Sequence, residues 1–248
     1  MANSHSLDLE RSSNQYAEIS DASQTGLDLN SDFTFEVWFN LESLPSTAGN
    51  PYKIIDKDDG TNRSYSLQIH HSYTAANSLI LDYFDSSRKS KSNIVEGIVD
   101  SGDVGSWVHI ACSVDLSAST CVVYKNSVSQ SVNVSGTNNG TIENTNTDFV
   151  IGARYGGIAH YFDGLIDEVR VWDDIRTSTE ITDNKDKELI GTEANLQGYW
   201  KFNNDYTDET SNGNDLTASG SPVFSTDVPF VGETPPTASP IAHILQMI

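Results

Sequence analysis

The run GARYGGIAHYFDG, residues 152–164, sets Tyr155, His160 and Tyr161 among glycines, with Arg154 and Asp163 beside them. Rings offer stacking surfaces, and a charged pair offers directed hydrogen bonds to hydroxyls, which is the chemistry of sugar recognition. For any one ring the alternative is a cover over the edge of a core. Tyr52 in AGNPYK, and Tyr73 beside His70 and His71 in the HHSY run, are lesser candidates of the same kind. Strand alternation would turn His70 and His71 to opposite sides. Trp38, Trp107, Trp172 and Trp200 lie inside apolar runs and read as packing.

Carboxylates form a second group. In LIDEVRVW, alternation puts Leu165, Asp167, Val169 and Val171 on one face and Ile166, Glu168, Arg170 and Trp172 on the other. Asp167 then shares a side with core residues, and a buried carboxylate needs a partner. The partner is a cation or a base such as Lys201 or Arg154. The loop DETSNGNDLT carries Asp208 and Asp215, and its carbonyls with these side chains suit calcium, which takes about six to eight oxygens. The alternative is an Asn-Gly turn held by side-chain hydrogen bonds. The run DKDDGTN lacks the alternation and terminal glutamate of an EF-hand loop and reads as a hairpin turn.

Catalytic patterns are missing from the sequence. No E-x-D-x-E strand supplies two carboxylates about 5 Å apart across one glycosidic bond. There is no H-E-x-x-H, nucleophile elbow or phosphate loop, and the six histidines show no metal-site spacing. The expectation is a protein that binds and does not catalyse.

The elements that must position these groups are short strands. Runs rich in Val, Ile, Tyr, Phe and Trp alternate with clusters of Asn, Gly, Ser, Thr and Asp, the pattern of a sandwich or barrel. FTFEVWFNL is the clearest: Phe33, Phe35, Val37, Phe39 and Leu41 point one way. One short helix is expected after Thr177, where Thr177 and Glu180 form a capping box. Cys112 and Cys121 sit in two runs around a Ser-rich turn. Setting Cys112 opposite Cys121 and Ile110 opposite Val123 allows a cross-strand disulfide; the alternative is two small buried thiols.

The chain has 248 residues, 35 of them acidic and 14 basic, for a net charge of -21. So negative a surface repels phosphate backbones and anionic membranes, which argues against nucleic acid as a partner. It attracts cations, or simply keeps the protein in solution. No stretch reaches the roughly 20 apolar residues of a membrane span, and the opening MANSHSLDLERSS shows no signal peptide.

Several segments in order resemble the laminin-G-like, or concanavalin A-like lectin and glucanase, jelly-roll family. They are SLDLERSSNQYAEI, SDFTFEVWFNL, IIDKDDGTNRSYSLQI, GSWVHIACSVDLSASTCVVYKNSV, DFVIGARYGGIAHYFDGLIDEVRVWDDIRTSTEI and LQGYWKFNNDYTDETSNGNDLT. The resemblance runs over about residues 5 to 226. It implies an all-β fold: two antiparallel sheets in a jelly-roll sandwich over residues 1–231, with one short helix. It also implies a structural calcium near the LIDEVRVW strand and the Gly/Asn loop. Lectins, adhesion modules and glycosidases share this fold, so it leaves function open.

Residues 232–248 differ in character. GETPPTASP is a stiff linker, and Ile241, Ile244, Leu245 and Ile248 follow at helical spacing. An apolar segment of this kind docks on a partner or folds back on the domain. The leading expectation is a non-catalytic extracellular module that binds glycans or another surface ligand, with calcium as a candidate cofactor. The second is a structural decoration subunit of a virion or other assembly, anchored by that tail. A hydrolase or lyase with an unrecognised site is the third.

Overall fold

The computed structural model describes residues 3–231. The apolar tail with Ile241, Ile244, Leu245 and Ile248 lies outside the described residues, as does the linker before it. Sixteen strands form in the described part: β1 (Ser6–Leu9), β2 (Tyr16–Ile19), β3 (Phe33–Leu41), β4 (Tyr52–Asp58), β5 (Arg63–His70), β6 (Ser78–Phe84), β7 (Ser90–Val95), β8 (Trp107–Asp115), β9 (Thr120–Lys125), β10 (Val128–Ser129), β11 (Asn133–Gly136), β12 (Phe149–Ile151), β13 (Gly164–Trp172), β14 (Leu196–Trp200), β15 (Thr217–Ser219) and β16 (Val223–Ser225). They build two eight-stranded antiparallel sheets, stacked as the expected sandwich. The first runs β10-β9-β8-β3-β13-β1-β16, with β14 also paired to β13. The second runs β11-β7-β6-β5-β4-β12-β2-β15.

The core follows from alternation. Phe33, Phe35, Val37, Phe39 and Leu41 of β3 all enter it. They face Tyr65, Leu67 and Ile69 of β5 and Leu79, Leu81 and Tyr83 of β6. Phe35 packs on Tyr65 at 5.3 Å and Phe33 meets Tyr83 edge-on at 6.2 Å. Trp200 stacks on Phe149 across the sandwich, 5.2 Å between ring centres. DKDDGTN is the β4–β5 turn, as expected: Asp59 accepts from the backbone N–H groups of Thr61 and Asn62.

The expected faces hold for Val169, Val171, Arg170 and Trp172 and reverse for Leu165, Ile166 and Asp167. Along β13, Ile166, Val169 and Val171 enter the core, while Asp167, Arg170 and Trp172 do not. The cause is a β-bulge: Asp167 pairs with Trp38 and Arg170 with Glu36, so Glu168 and Val169 together face Val37. Glu168 takes a positive φ of 50° to achieve this. An extra residue shifts strand parity, so everything beyond it changes sides.

The bulge places Arg170 on the outer face of the first sheet, buried, in a charged network. Its Nη2 donates to Glu168 Oε2 at 2.7 Å and to the Lys187 carbonyl at 2.6 Å; its Nη1 donates to the Asn184 carbonyl at 3.1 Å and lies 3.7 Å from Glu36. Tyr199 donates to Glu168 and Trp172 Nε1 to Glu36. Burial opposes the guanidinium charge, but Glu168 and Glu36 more than restore it and raise its pKa. Trp38 Nε1 donates to the Lys185 carbonyl. Helix α2 (Ser178–Asn184) and the segment after it are thereby fastened over this face, with Trp172, Leu189, Leu196 and Tyr199 as a small second core. The Thr177–Glu180 capping box starts that helix as expected. A second helical turn, α1 (Pro45–Ala48), was not foreseen.

The cysteines are not opposite each other. Cys112 pairs with Val123 and Val114 with Cys121, and both thiols are free. Residues 116–119 form a four-residue loop with Ser119 at φ 56°, and loop length fixes hairpin register. Burial pushes the Cys121 thiol up to about 12 and the Cys112 thiol higher than its ordinary value. Both are therefore protonated at neutral pH, and Cys112 is also fully buried.

Two outcomes are expected. Arg170→Met leaves buried Glu36 and Glu168 without their cation and costs about 3–5 kcal/mol in urea unfolding. A loss below about 1 kcal/mol would show that the network does not hold the roof. Thiol titration of the native protein gives no reaction at fully buried Cys112 until it is unfolded; rapid native labelling of Cys112 would contradict its burial.

Candidate functional site

The outer face of the second sheet carries a recess made by two irregularities in the β4–β5 pair. Lys53 pairs with Gln68 and Ile55 with Leu67, so Ile54 is an extra residue on β4. Lys57 pairs with Tyr65 and Asp58 with Arg63, so Ser64 is an extra residue on β5. The first bulge brings Lys53 and Asp56 to the same side, where they form a 2.8 Å ion pair; Lys53 also donates to Ser66 Oγ. The second sets Arg63 on Asp58, with Nε 2.9 Å from both carboxylate oxygens. Arg63 also lies 4.2 Å over the Phe84 ring.

The 152–164 loop borders this recess. Gly152 N–H donates to the Ile54 carbonyl and Lys53 N–H to the His160 carbonyl, so the loop continues the edge of β4. Gly157, at φ 60°, presses against the Tyr16 ring; an added Cβ would sit 2.2 Å from it. Tyr161 rests beside Tyr16 at 6.5 Å and donates to the Gly157 carbonyl.

Two shallow pockets result, and His160 lines both. One, about 150 Å³, is bounded chiefly by Lys53, Arg63, Gln68, His70, Arg154 and His160. The other, about 240 Å³, is bounded by Arg11, Asn14, Asn50, Ala159, His160 and Tyr161. Burial, then the charges of Lys53 and Arg154, lowers the His160 pKa to about 4. The ring is thus neutral at pH 7. Its Nδ1 is enclosed without a hydrogen-bond partner.

Of the residues expected at a ligand site, the structure gathers Arg154, His160 and Tyr161 here. Tyr52 is corrected: it is fully buried in the core, its hydroxyl hydrogen-bonded to Ser43 and Asp163. The Pro51–Tyr52 step enters β4, and its strand parity points inward. Asp163 is corrected too. Its carboxylate accepts from Arg11 N–H, Ser43 Oγ and the Tyr52 hydroxyl, bracing the chain beneath the loop. Tyr155 leans toward Asp148, whose charge raises its pKa first, and borders neither pocket. Tyr73 is exposed on the turn after β5, edge-on to His70 at 5.6 Å, and borders neither pocket. His70 and His71 stack at 4.7 Å instead of opposing one another, because β5 ends at His70. Lys53, Arg63 and Gln68 were missed. The signal for them was the polar alternate positions of RSYSLQIH, opposite the YKIIDKD strand.

The expected calcium ligands do not converge. Asp167 accepts from Asn3 Nδ2 at 2.9 Å and from Glu168 N–H. Burial, then the Glu168 carboxylate, holds its acid well above the usual range. Asp208 accepts from the N–H groups of Tyr199, Thr210 and Asn214 and from Thr210 Oγ1. Asp215 accepts from Asp208 N–H. Four donors point at the Asp208 carboxylate, which leaves it organised for N–H and O–H partners. These side chains do not fit a calcium cage. Among the described residues, the acids whose oxygens do cluster are Asp8, Glu10 and Glu42, within 4.8 Å of one another. They lie by a separate hollow on the first sheet, where burial raises the Asp8 and Glu42 pKa values.

The chain belongs to the concanavalin A-like lectin/glucanases superfamily, whose laminin-G-type family model matches residues 11–182. Solved structures agree on the fold. A Bacteroides ovatus protein provisionally named as carbohydrate binding is 17% identical at a TM-score of 0.66, covering 93% of this chain and 62% of its own. This chain therefore spans less than two thirds of that protein. A heptameric SAP-like pentraxin from Limulus polyphemus is 11% identical at 0.52, covering 92% of this chain and 97% of its own. A leech intramolecular trans-sialidase is 12% identical at 0.52, covering 78% of this chain and 28% of its own. No curated protein sequence matches this chain.

The hydrogen-bonded loop makes a prediction. Asp208→Ala strands several buried donors and costs on the order of 3 kcal/mol in urea unfolding, with or without chelator. A chelator that lowers the thermal midpoint of the unaltered protein, and not of the variant, would show calcium bound at this loop.

Proposed function

We propose that this domain is a non-catalytic glycan-binding module acting outside the cell or at a surface, and that it binds across the His160 ridge. The observation that carries this reading is the pair of shallow pockets sharing His160, one over the β4–β5 floor of the second sheet and one beside it at Arg11, Asn14 and Asn50. Their walls mix ring faces with amide, imidazole and guanidinium groups. Sugar rings present just such alternating apolar faces and hydroxyl edges. The neutral imidazole of His160 can both donate and accept, which matches a sugar hydroxyl. The family and the name carried by the Bacteroides ovatus relative support the same reading.

The site lacks the parts of a hydrolase. Glycosidic cleavage uses two carboxylates that flank one bond. The carboxylate bordering the first pocket is Asp58, and Arg63 clasps it. None borders the second. Binding without turnover is the activity that fits. No helix among the described residues is long and apolar enough to cross a membrane.

A glycan array followed by calorimetry tests the reading. At least one glycan binds, and His160→Ala weakens it by about tenfold, or about 1.4 kcal/mol, while the domain stays folded. If no glycan binds, or the variant binds as well as the parent, the His160 site is not a glycan site.

A further inference from the structure

The pocket under Arg154 holds three permanent cations, and two already have carboxylates. Lys53 is paired with Asp56 at 2.8 Å, and Arg63 with Asp58 at 2.9 Å. Arg154 is different. Its guanidinium makes no hydrogen bond and no ion pair with any described residue, although it borders the pocket. The acid nearest in charge, Asp59, is turned into its own loop: it accepts from Thr61 N–H, Asn62 N–H and Asn62 Nδ2. The adjoining pocket repeats the arrangement. Arg11 borders it, its side chain has no ion-pair partner among the described residues, and its Nε is enclosed without a hydrogen bond.

Acids outnumber bases 35 to 14, so carboxylates are plentiful, yet two arginines on either side of His160 have none. The backbone makes room for one of them. Gly60, at φ 88°, lies under Arg154 Nη2; an added Cβ would come within 2.3 Å of that nitrogen. The His160 pKa is lowered chiefly by burial, and the nearby charges of Lys53 and Arg154 act in the same direction. Elsewhere on the molecule, the Asp8, Glu10 and Glu42 hollow is acidic and repels anions.

We propose that the His160 site selects glycans bearing a carboxylate, with Arg154 as the residue that receives the acid group. The inference rests on the glycan-binding reading above and narrows it to a ligand class. A guanidinium offers two parallel N–H donors that match a planar carboxylate, and pairing there is stronger than a hydroxyl contact. Arg11, across the imidazole, supplies a second cationic wall for the same ligand. Sulfated sugars share the anionic charge but are not planar at the acid, so they serve as the comparison.

The test is calorimetric titration of the full chain with four kinds of probe. They are a hexuronic-acid oligosaccharide, a sialylated oligosaccharide, the carboxyl-reduced form of each, and a sulfated neutral oligosaccharide. The expected result is at least one carboxylated probe binding tenfold or more tightly than its reduced form, and more tightly than the sulfated one. Arg154→Gln removes that preference. Gly60→Ala, which leaves the charge in place but displaces the guanidinium, weakens it as well; circular dichroism checks that both variants are folded. Equal affinity for carboxylated and reduced probes overturns the inference and leaves the glycan reading standing. Preference for the sulfated probe overturns the carboxylate assignment. A carboxylate preference that survives Arg154→Gln removes Arg154 from the site. If no charged or neutral glycan binds at all, the glycan reading itself falls, and this inference with it.

Discussion

A fully buried guanidinium needs its charge balanced and its N–H groups occupied, and Arg170 meets that requirement only when the roof is closed. Glu168 and Glu36 supply the charge; the carbonyls of Asn184 and Lys187 supply acceptors from the far side. Neither half suffices alone, because a buried pair with open donors is costly. The bulge at Glu168, the α2 helix and the 185–196 segment are therefore one unit. Their joint effect is to cover the middle of the first sheet's outer face with Trp38, Trp172 and Tyr199 beneath the cover.

With the middle of that face covered and its remaining hollow lined by Asp8 and Glu42, the proposed ligand contact lies at the second sheet. There the chain uses the same device to a different end. Bulges at Ile54 and Ser64 bring Lys53 and Asp56, and Arg63 and Asp58, to one side in close pairs. These pairs fix the floor of the recess and neutralise most of its charge. The 152–164 loop, pinned to β4 through Lys53, Ile54 and His160 backbone groups, forms the rim. Bulges commonly sit beside functional sites because they re-aim side chains without breaking the sheet. Here they set a rigid polar floor beneath His160 and leave Arg154 unengaged.

Much of the fold was legible from alternation and turn chemistry. The inward set of FTFEVWFNL, the Thr177 capping box and the Asp59 turn each follow from local rules that the structure keeps. The loop around His160 was legible as a candidate site because glycines and rings crowd together there. What local rules could not show were insertions of one residue. A bulge has no fixed residue signature, so Leu165–Asp167 turned to the other face and the Lys53, Arg63 and Gln68 cluster was missed. Cys112 and Cys121 fell out of register for a related reason: the turn between them took four residues, not two. Tyr52 and Asp163 were legible by type but not by depth, since both serve the packing under the loop.

The account stands on ligand contact at the His160 recess and not under the roof over the middle of the first sheet. Backbone amide shifts, followed by NMR as a glycan that binds is titrated in, test this directly. The account predicts perturbations confined to residues 11–14, 50–58, 63–70 and 154–161, with Glu36, Trp38, Arg170 and Trp172 unmoved. Shifts centred on α2 and the residues under it, with the His160 loop silent, would contradict it.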